Sequence, residues 1–245
     1  MMEKRRKKDA SVKEISTQVG EKADFHVKEA YKIIRTNLMF TLASVQNNII
    51  LVSSAESAAG KSLTCANLSI SMAQTGKKVV LIDADMRKSV QHRIFGLTNK
   101  DGLSTILSGT SALETVVTTY QKMTLDILTA GPTPPNPVEL LSSQRMSDLL
   151  NKLQKQYDYV FVDTPPVSIL SDGLVLASKV GGTILVARQN QTTYDNLQKT
   201  VDRIKQVNGA VLGVIVNDVQ EKNKPYGSYY YGSYYGSYDH HSSEK

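Results

Sequence analysis

The chain is predicted to fold as an α/β domain, with a mostly parallel, doubly wound sheet flanked by helices. Two observations predict it. Short apolar runs of strand length alternate with helical segments along most of the 245 residues. The runs are continuously apolar rather than alternating, the pattern of strands covered on both faces. Composition agrees, because 40% hydrophobic and 21% charged residues are ordinary for one globular domain with free ends.

The elements follow in order. Residues 1–24 are polar and form an N-terminal segment before a domain over 25–222. A helix is predicted over 25–44, where Val27, Tyr31, Ile34, Leu38 and Leu42 make one apolar stripe. Glu29, Lys32 and Arg35 line a separate charged face of it. A strand at 49–53 runs into a small-residue loop, and a helix over 61–75 is stopped by Gly76. Strands are predicted at 78–82 and 125–129, then the loop GPTPPNP at 131–137 and a helix over 138–156. Strands at 159–162 and 183–187, a helix over 192–207 and a strand at 211–216 complete the domain. In such sheets ligands bind beyond the carboxyl ends of the strands.

Charge and cysteine exclude several classes. Residues 1–8 hold five basic and one acidic side chain, so they supply +4 of the net +6. The remainder is nearly neutral, which argues against nucleic-acid binding. The basic run is either a solvated start or a contact with an anionic membrane surface or an acidic partner. No apolar core of a signal peptide follows it, and no run of about 18 apolar residues predicts a membrane span. Cys65 is the single cysteine, so no intrachain disulfide is possible and a reducing compartment is expected.

Residues 223–245 differ from everything before them. Tyr226, Tyr229, Tyr230, Tyr231, Tyr234, Tyr235 and Tyr238 are seven of the twelve tyrosines, set among Gly and Ser with no aliphatic residue. Such a segment buries too little apolar surface to offset its ordering entropy, so a mobile tail is predicted. Residues 226–244 carry no interleaved Lys or Arg, which argues against a single-strand nucleic-acid platform. His240-His241 lacks nearby ligands for a metal.

The segment AESAAGKS at 55–62 lies between a predicted strand and a predicted helix. It reads as a phosphate-binding loop, in which Ala58, Ala59, Gly60 and Leu63 lend backbone N–H groups to phosphates. Lys61 would reach the β- and γ-phosphates, and Ser62 would ligate Mg²⁺. Ala55 stands where a first glycine is usual. The next strand ends VVLIDADMR, and Asp83 and Asp85 are two apart, so both should point one way toward a cation such as Mg²⁺ bound to ATP. Arg87 either meets a phosphate or pairs with one of these acids. Asp163 ends the strand YVFVD, the second metal-site element of such nucleotide-binding domains. Asp172 either supports these groups or caps a helix. Asn217, past the last strand, either bonds the adenine or makes a turn.

Together these motifs resemble the bacterial tyrosine kinases of capsule and exopolysaccharide synthesis. The form it resembles is the separate cytoplasmic kinase subunit of Gram-positive bacteria. The likeness rests on EAYKIIRTN at 29–37, AESAAGKS, VVLIDADMR, GLSTIL at 102–107, GPTPPNPVELLSS at 131–143, YVFVDTPP at 159–166 and the tyrosine tail. It implies the P-loop NTPase fold of the septum-site and plasmid-partition ATPases. It also implies an ATP- and Mg²⁺-dependent protein-tyrosine kinase, with Asp85 and Asp163 at the metal and Asp83 taking the tyrosyl proton. Tail tyrosines would be the acceptors, phosphorylated in trans within a homo-oligomeric ring whose contact motif includes Glu29, Lys32 and Arg35. The implied partners are a membrane-anchored activator of the polysaccharide co-polymerase type, which recruits the kinase to the inner face of the membrane, and a cognate tyrosine phosphatase. Two positions depart from the family: Ser57-Ala58 replaces a Pro-Gly-like pair, and Lys32 replaces an arginine, losing its bidentate fork. A positioning ATPase, which attacks ATP with water, is the alternative. The Gly-Ser-Tyr ending argues against it, because such proteins often end in a basic amphipathic helix.

Overall fold

The computed structural model describes Val19, residues 23–121 and residues 123–220. The basic run at 1–8 and the tail tyrosines Tyr226 to Tyr238 lie outside the described residues. Elements in chain order are α1 (Phe25–Leu42), β1 (Ile49–Ser54), α2 (Lys61–Ala73), β2 (Val79–Asp83), α3 (Gln91–Ile94), α4 (Leu103–Ser108), α5 (Leu113–Val116), β3 (Thr118–Thr119), β4 (Leu125–Leu128), α6 (Pro137–Ser142), α7 (Gln144–Gln156), β5 (Tyr159–Asp163), α8 (Leu174–Ala177), β6 (Gly182–Arg188), α9 (Tyr194–Gln206) and β7 (Val211–Asn217).

The strands form one seven-stranded sheet in the order β3-β4-β2-β5-β1-β6-β7. Every pair is parallel except the short β3–β4 pair at one edge. Strand neighbours divide between two cores. Leu51, Val80, Ile82, Val160, Val162 and Leu185 pack against α7 and its Met146, Leu149, Leu150 and Leu153. Ile50, Val52, Leu81, Phe161, Ile184 and Val186 pack against α2, with Leu38 and Leu42 of α1 outside it. This two-sided burial is why the strands read as unbroken apolar runs.

The helix predicted over 138–156 is two helices. Ser143 stands extended between them (φ −62°, ψ 159°) and accepts a hydrogen bond from Met146 N at 3.3 Å. Its hydroxyl caps the second helix, so the chain breaks where periodicity alone runs on. The short pieces α3, α4, α5, α8 and β3 carry no periodicity signal, being two to six residues long.

Two glycines bring the site-bearing loops together. A Cβ at Gly102 would lie 2.2 Å from Gly131 N, so only glycine lets the start of α4 meet the GPTPPNP loop. Gly60, at φ +89°, opens α2, and a Cβ there would fall 2.1 Å from Nδ2 of Asn217.

Candidate active site

The ends of β1, β2 and β5 meet at one edge because these strands are neighbours in register. Asp83 pairs with Asp163 across β2 and β5, and Val52 pairs with Asp163 across β1 and β5. The loop after β1 turns into α2 through Ala58 (φ +61°) and Gly60 (φ +89°). Left-handed geometry at Ala58 costs about 1 kcal/mol or more, and persists where neighbours hold it. They do so by donating to successive loop carbonyls: Gln191 Nε2 to Ser57 O at 3.3 Å, Arg188 Nη1 to Ala58 O at 3.4 Å, and Asn217 Nδ2 to Ala59 O at 3.1 Å. Asn217, undecided between an adenine contact and a turn on sequence grounds, thus leans on the loop itself.

Lys61 is the centre of the site. Its ammonium Nζ donates to Ser62 Oγ at 3.0 Å, Asp85 Oδ2 at 3.2 Å and Asp163 Oδ1 at 3.4 Å. Burial alone would lower the Lys61 pKa, but Asp163 and Asp85 outweigh it and hold it above the ordinary value. The ammonium therefore sits among the three side chains that the sequence assigns to the metal, held there by charge-assisted hydrogen bonds.

Asp83 and Asp85 do not share the Lys61 ammonium. The strand stops at Asp83, so the alternation that would align them ends there. Asp83 Oδ1 accepts Asp85 N at 3.2 Å, and Oδ2 accepts Val90 N at 3.1 Å and Gln91 N at 3.0 Å. Asp83 thus folds the chain back onto α3, while Asp85 turns to Lys61 and takes Lys88 N on its other oxygen at 2.9 Å. Burial, and next the Asp163 carboxylate, push Asp83 from 3.8 up to about 8, against the Gln91 N–H bond.

Arg87 pairs with neither Asp83 nor Asp85. Its Nε donates to Asp172 Oδ1 at 2.9 Å, and Asp172 is fully buried. Asp172 therefore answers Arg87 instead of capping α8, whose N-cap Gly173 receives no side-chain bond. On α1, Glu29 and Lys32 pair at 2.6 Å in the open. Arg35 instead turns inward and donates to Ser71 O at 2.7 Å, in the last turn of α2. Sequence reasoning passed over Gln91. Its side chain is fully buried and donates to Asp163 Oδ2 at 2.8 Å and Ser62 O at 3.0 Å. A lone glutamine in a four-residue helix gives no sequence signal for that role.

Comparison with known proteins gives the family and the fold. The family model described as ParA, NUBPL iron-transfer P-loop NTPase, matches residues 45–226. A Staphylococcus aureus protein named putative tyrosine-protein kinase CapB is 36% identical over 87% of this chain and 94% of its own length. A Bacillus subtilis (strain 168) protein named tyrosine-protein kinase YwqD is 39% identical over 84% of this chain and 86% of its own. The chain belongs to the bacterial tyrosine kinase family of capsule and exopolysaccharide synthesis. The crystal structure of the chimerical protein CapA2B2 superposes on this kinase with a TM-score of 0.79, 34% identity, and coverage of 84% of this chain and 91% of that one. A septum-site protein of Pyrococcus horikoshii in complex with Mg-ADP shares the fold alone, at TM-score 0.60 and 23% identity over 69% of each chain. The kinase spans 30% of the length of a Klebsiella pneumoniae relative named putative tyrosine-protein kinase in cps region, which is 38% identical over 88% of this chain.

The donor set fits Mg-ATP. Asp85 and Asp163 face one ammonium and Asp83 is buried beside them, so the buried centre has more negative than positive charge when all three ionise. Mg²⁺ usually takes one or two carboxylates and completes its sphere with phosphate oxygens and water, and Asp85 and Asp163 beside Ser62 offer such a set.

Proposed function

We propose that this kinase transfers the γ-phosphoryl group of ATP to tyrosines of its own C-terminal cluster in trans, and so regulates the length and export of a capsular or exopolysaccharide chain. The observation that carries the reading is the Lys61 ammonium held by Ser62, Asp85 and Asp163 at the carboxyl edge of the sheet. A phosphoryl group needs charge stabilisation and alignment there more than covalent help.

The roles divide as follows. Amides from Ala58 to Leu63 cradle the phosphates at the N-terminus of α2. Lys61 exchanges its carboxylate partners for phosphate oxygens. Ser62, Asp85 and Asp163 would hold Mg²⁺, which when bound would supply positive charge to the phosphates and favour ionised carboxylates around it. Asn217 lies beside the loop for the adenine, and Arg87 carries charge at the rim. Tyrosine has an ordinary pKa of about 10, so its attack benefits from a base. Asp83 accepts the tyrosyl proton as the new O–P bond forms and the bond from phosphorus to the ADP oxygen breaks.

The acceptors are Tyr226, Tyr229, Tyr230, Tyr231, Tyr234, Tyr235 and Tyr238, in a tail over 223–245 that enters a neighbour's site within a ring. Glu29, Lys32 and Arg35 contribute to the ring contact. Each phosphotyrosine adds about −1.5 to −2 charge, so a phosphorylated tail is repelled from the carboxylate-lined site and the ring dissociates. A membrane-anchored activator recruits the kinase to the inner face of the membrane, and a tyrosine phosphatase resets it. The name of the CapA2B2 chimera supports such a partner. No helix of the described residues is long and apolar enough to cross a membrane itself.

The test is phosphotyrosine formation by purified protein with Mg-ATP, with and without the activator's cytoplasmic peptide. Phosphotyrosine lost both in Lys61→Met and on truncation after Lys224 supports the reading. ATP hydrolysis without phosphotyrosine, activator present, would instead establish a positioning ATPase.

A further inference from the structure

We infer that Gln91 is a positioning residue that orients the Asp163 carboxylate for Mg²⁺, a role that rests on the reading above in which Asp163 and Ser62 hold the metal. Gln91 joins three parts of the site. Its backbone N–H donates to Asp83 Oδ2 at 3.0 Å, and its amide Nε2 donates both to Asp163 Oδ2 at 2.8 Å and to Ser62 O at 3.0 Å. Asp163 therefore has one oxygen committed to Gln91 and the other, Oδ1, turned to the Lys61 ammonium at 3.4 Å. Without the Gln91 amide, the carboxylate can rotate about its terminal torsion, which is broad and nearly two-fold.

The remaining atom of the same side chain points to a ligand. Gln91 Oε1 is buried and has no hydrogen-bond partner. An unsatisfied buried acceptor is destabilising, so its persistence in a fully buried side chain calls for a donor that arrives with the cargo. Mg²⁺ keeps several of its waters when bound, and each is such a donor. Apolar glutamine isosteres would pack as well in this position if filling space were its only task.

The site's α3 is placed for this by Asp83. That carboxylate anchors the amides of Val90 and Gln91, so the helix start is fixed relative to β2, and the Gln91 side chain is delivered across to β5. Asp83 and Gln91 thus form a relay of hydrogen bonds from one strand end to the next, with Ser62 of α2 as its third attachment.

The experiment compares the full-length protein with Gln91→Met, which keeps length and loses the hydrogen bonds, and Gln91→Asn, which keeps the amide one methylene short of Asp163. ADP affinity is measured by calorimetry with Mg²⁺ and with EDTA, alongside thermal melting and phosphotyrosine formation across a Mg²⁺ titration. Groups that orient metal ligands typically contribute about 10–100-fold to metal affinity. Both variants should therefore weaken ADP binding about 10-fold or more in Mg²⁺ and less than about twofold in EDTA, and shift half-maximal Mg²⁺ upward. Equal losses with and without Mg²⁺, or none, would overturn the role. If Gln91→Met does not fold, Gln91→Asn decides by the same two affinities. The kinase reading fails separately: a wild type that binds Mg-ADP in a Gln91-dependent way but forms no phosphotyrosine would retain this role and lose that activity.

Discussion

At the carboxyl edge of the sheet Asp83 and Asp163 are fully buried and the Lys61 side chain is 12% exposed, whereas on α1 the Lys32 and Glu29 side chains are 52% and 37% exposed. Both regions set lysine against carboxylates at hydrogen-bond distance. In the first, every charge has several fixed partners and loss of one strands the rest in a poorly solvated setting. In the second, water replaces whatever is removed, and an exposed pair is worth about 0–1 kcal/mol. Ion pairs of the same residue types thus hold a reaction centre together in one place and leave a surface free for other contacts in the other.

Lys61→Met should break this contrast most severely. It removes the only side-chain cation that contacts both Asp85 and Asp163 among the described residues, and phosphotyrosine formation should fall at least about 100-fold, as for loss of a preorganised electrostatic group. Next is Asp83→Ala, which leaves the amides of Asp85, Val90 and Gln91 without their acceptor. It should cost about 3 kcal/mol or more in urea denaturation, from about 1–3 kcal/mol per stranded group. A variant as stable as wild type would mean that these amides find other partners.

Between the two extremes lies Tyr157, half-buried at the end of α7, whose hydroxyl donates to Asp126 Oδ2 at 2.8 Å. Burial, and then the Asp126 bond and charge, raise its pKa above the usual 10.0. The fold therefore favours the neutral phenol. Its contribution is complete below pH 10 and drains away as pH rises past that value. Tyr157→Phe should cost about 1 kcal/mol at pH 8 by loss of one hydrogen bond, with the gap to wild type closing in melts above pH 10. Smallest of all is Lys32→Ala, expected to change the protomer's melting stability by less than about 0.5 kcal/mol. If it nevertheless shifts assembly size in sedimentation, the exposed pair serves contacts between copies.

The sheet was readable because covered strands must be apolar on both sides, and the runs at β1, β2, β5 and β6 leave little choice. The loop at 55–62 and the strand-ending Asp83 and Asp163 were readable because each motif is local. Ser143 and the short helices were not, since one hydroxyl and four to six residues lie below any periodic signal. The Arg87–Asp172 pair spans 85 residues, and the Gln91–Asp163 bond spans 72. Partners so distant become neighbours only through strand order.

The sequence by itself determined the α/β architecture, the phosphate loop, the strand-end carboxylates and the tyrosine cluster, because periodicity and motif spacing act over a few residues. The tertiary structure alone decided that Asp83 serves backbone amides while Asp85 turns to Lys61. It decided that Arg35 caps α2 and that Gln91 bridges Asp163 to Ser62. The physical reason is common to all three. Buried polar groups must find partners, and which partners are within reach is set by the packing of β2, β5 and α2 around one edge.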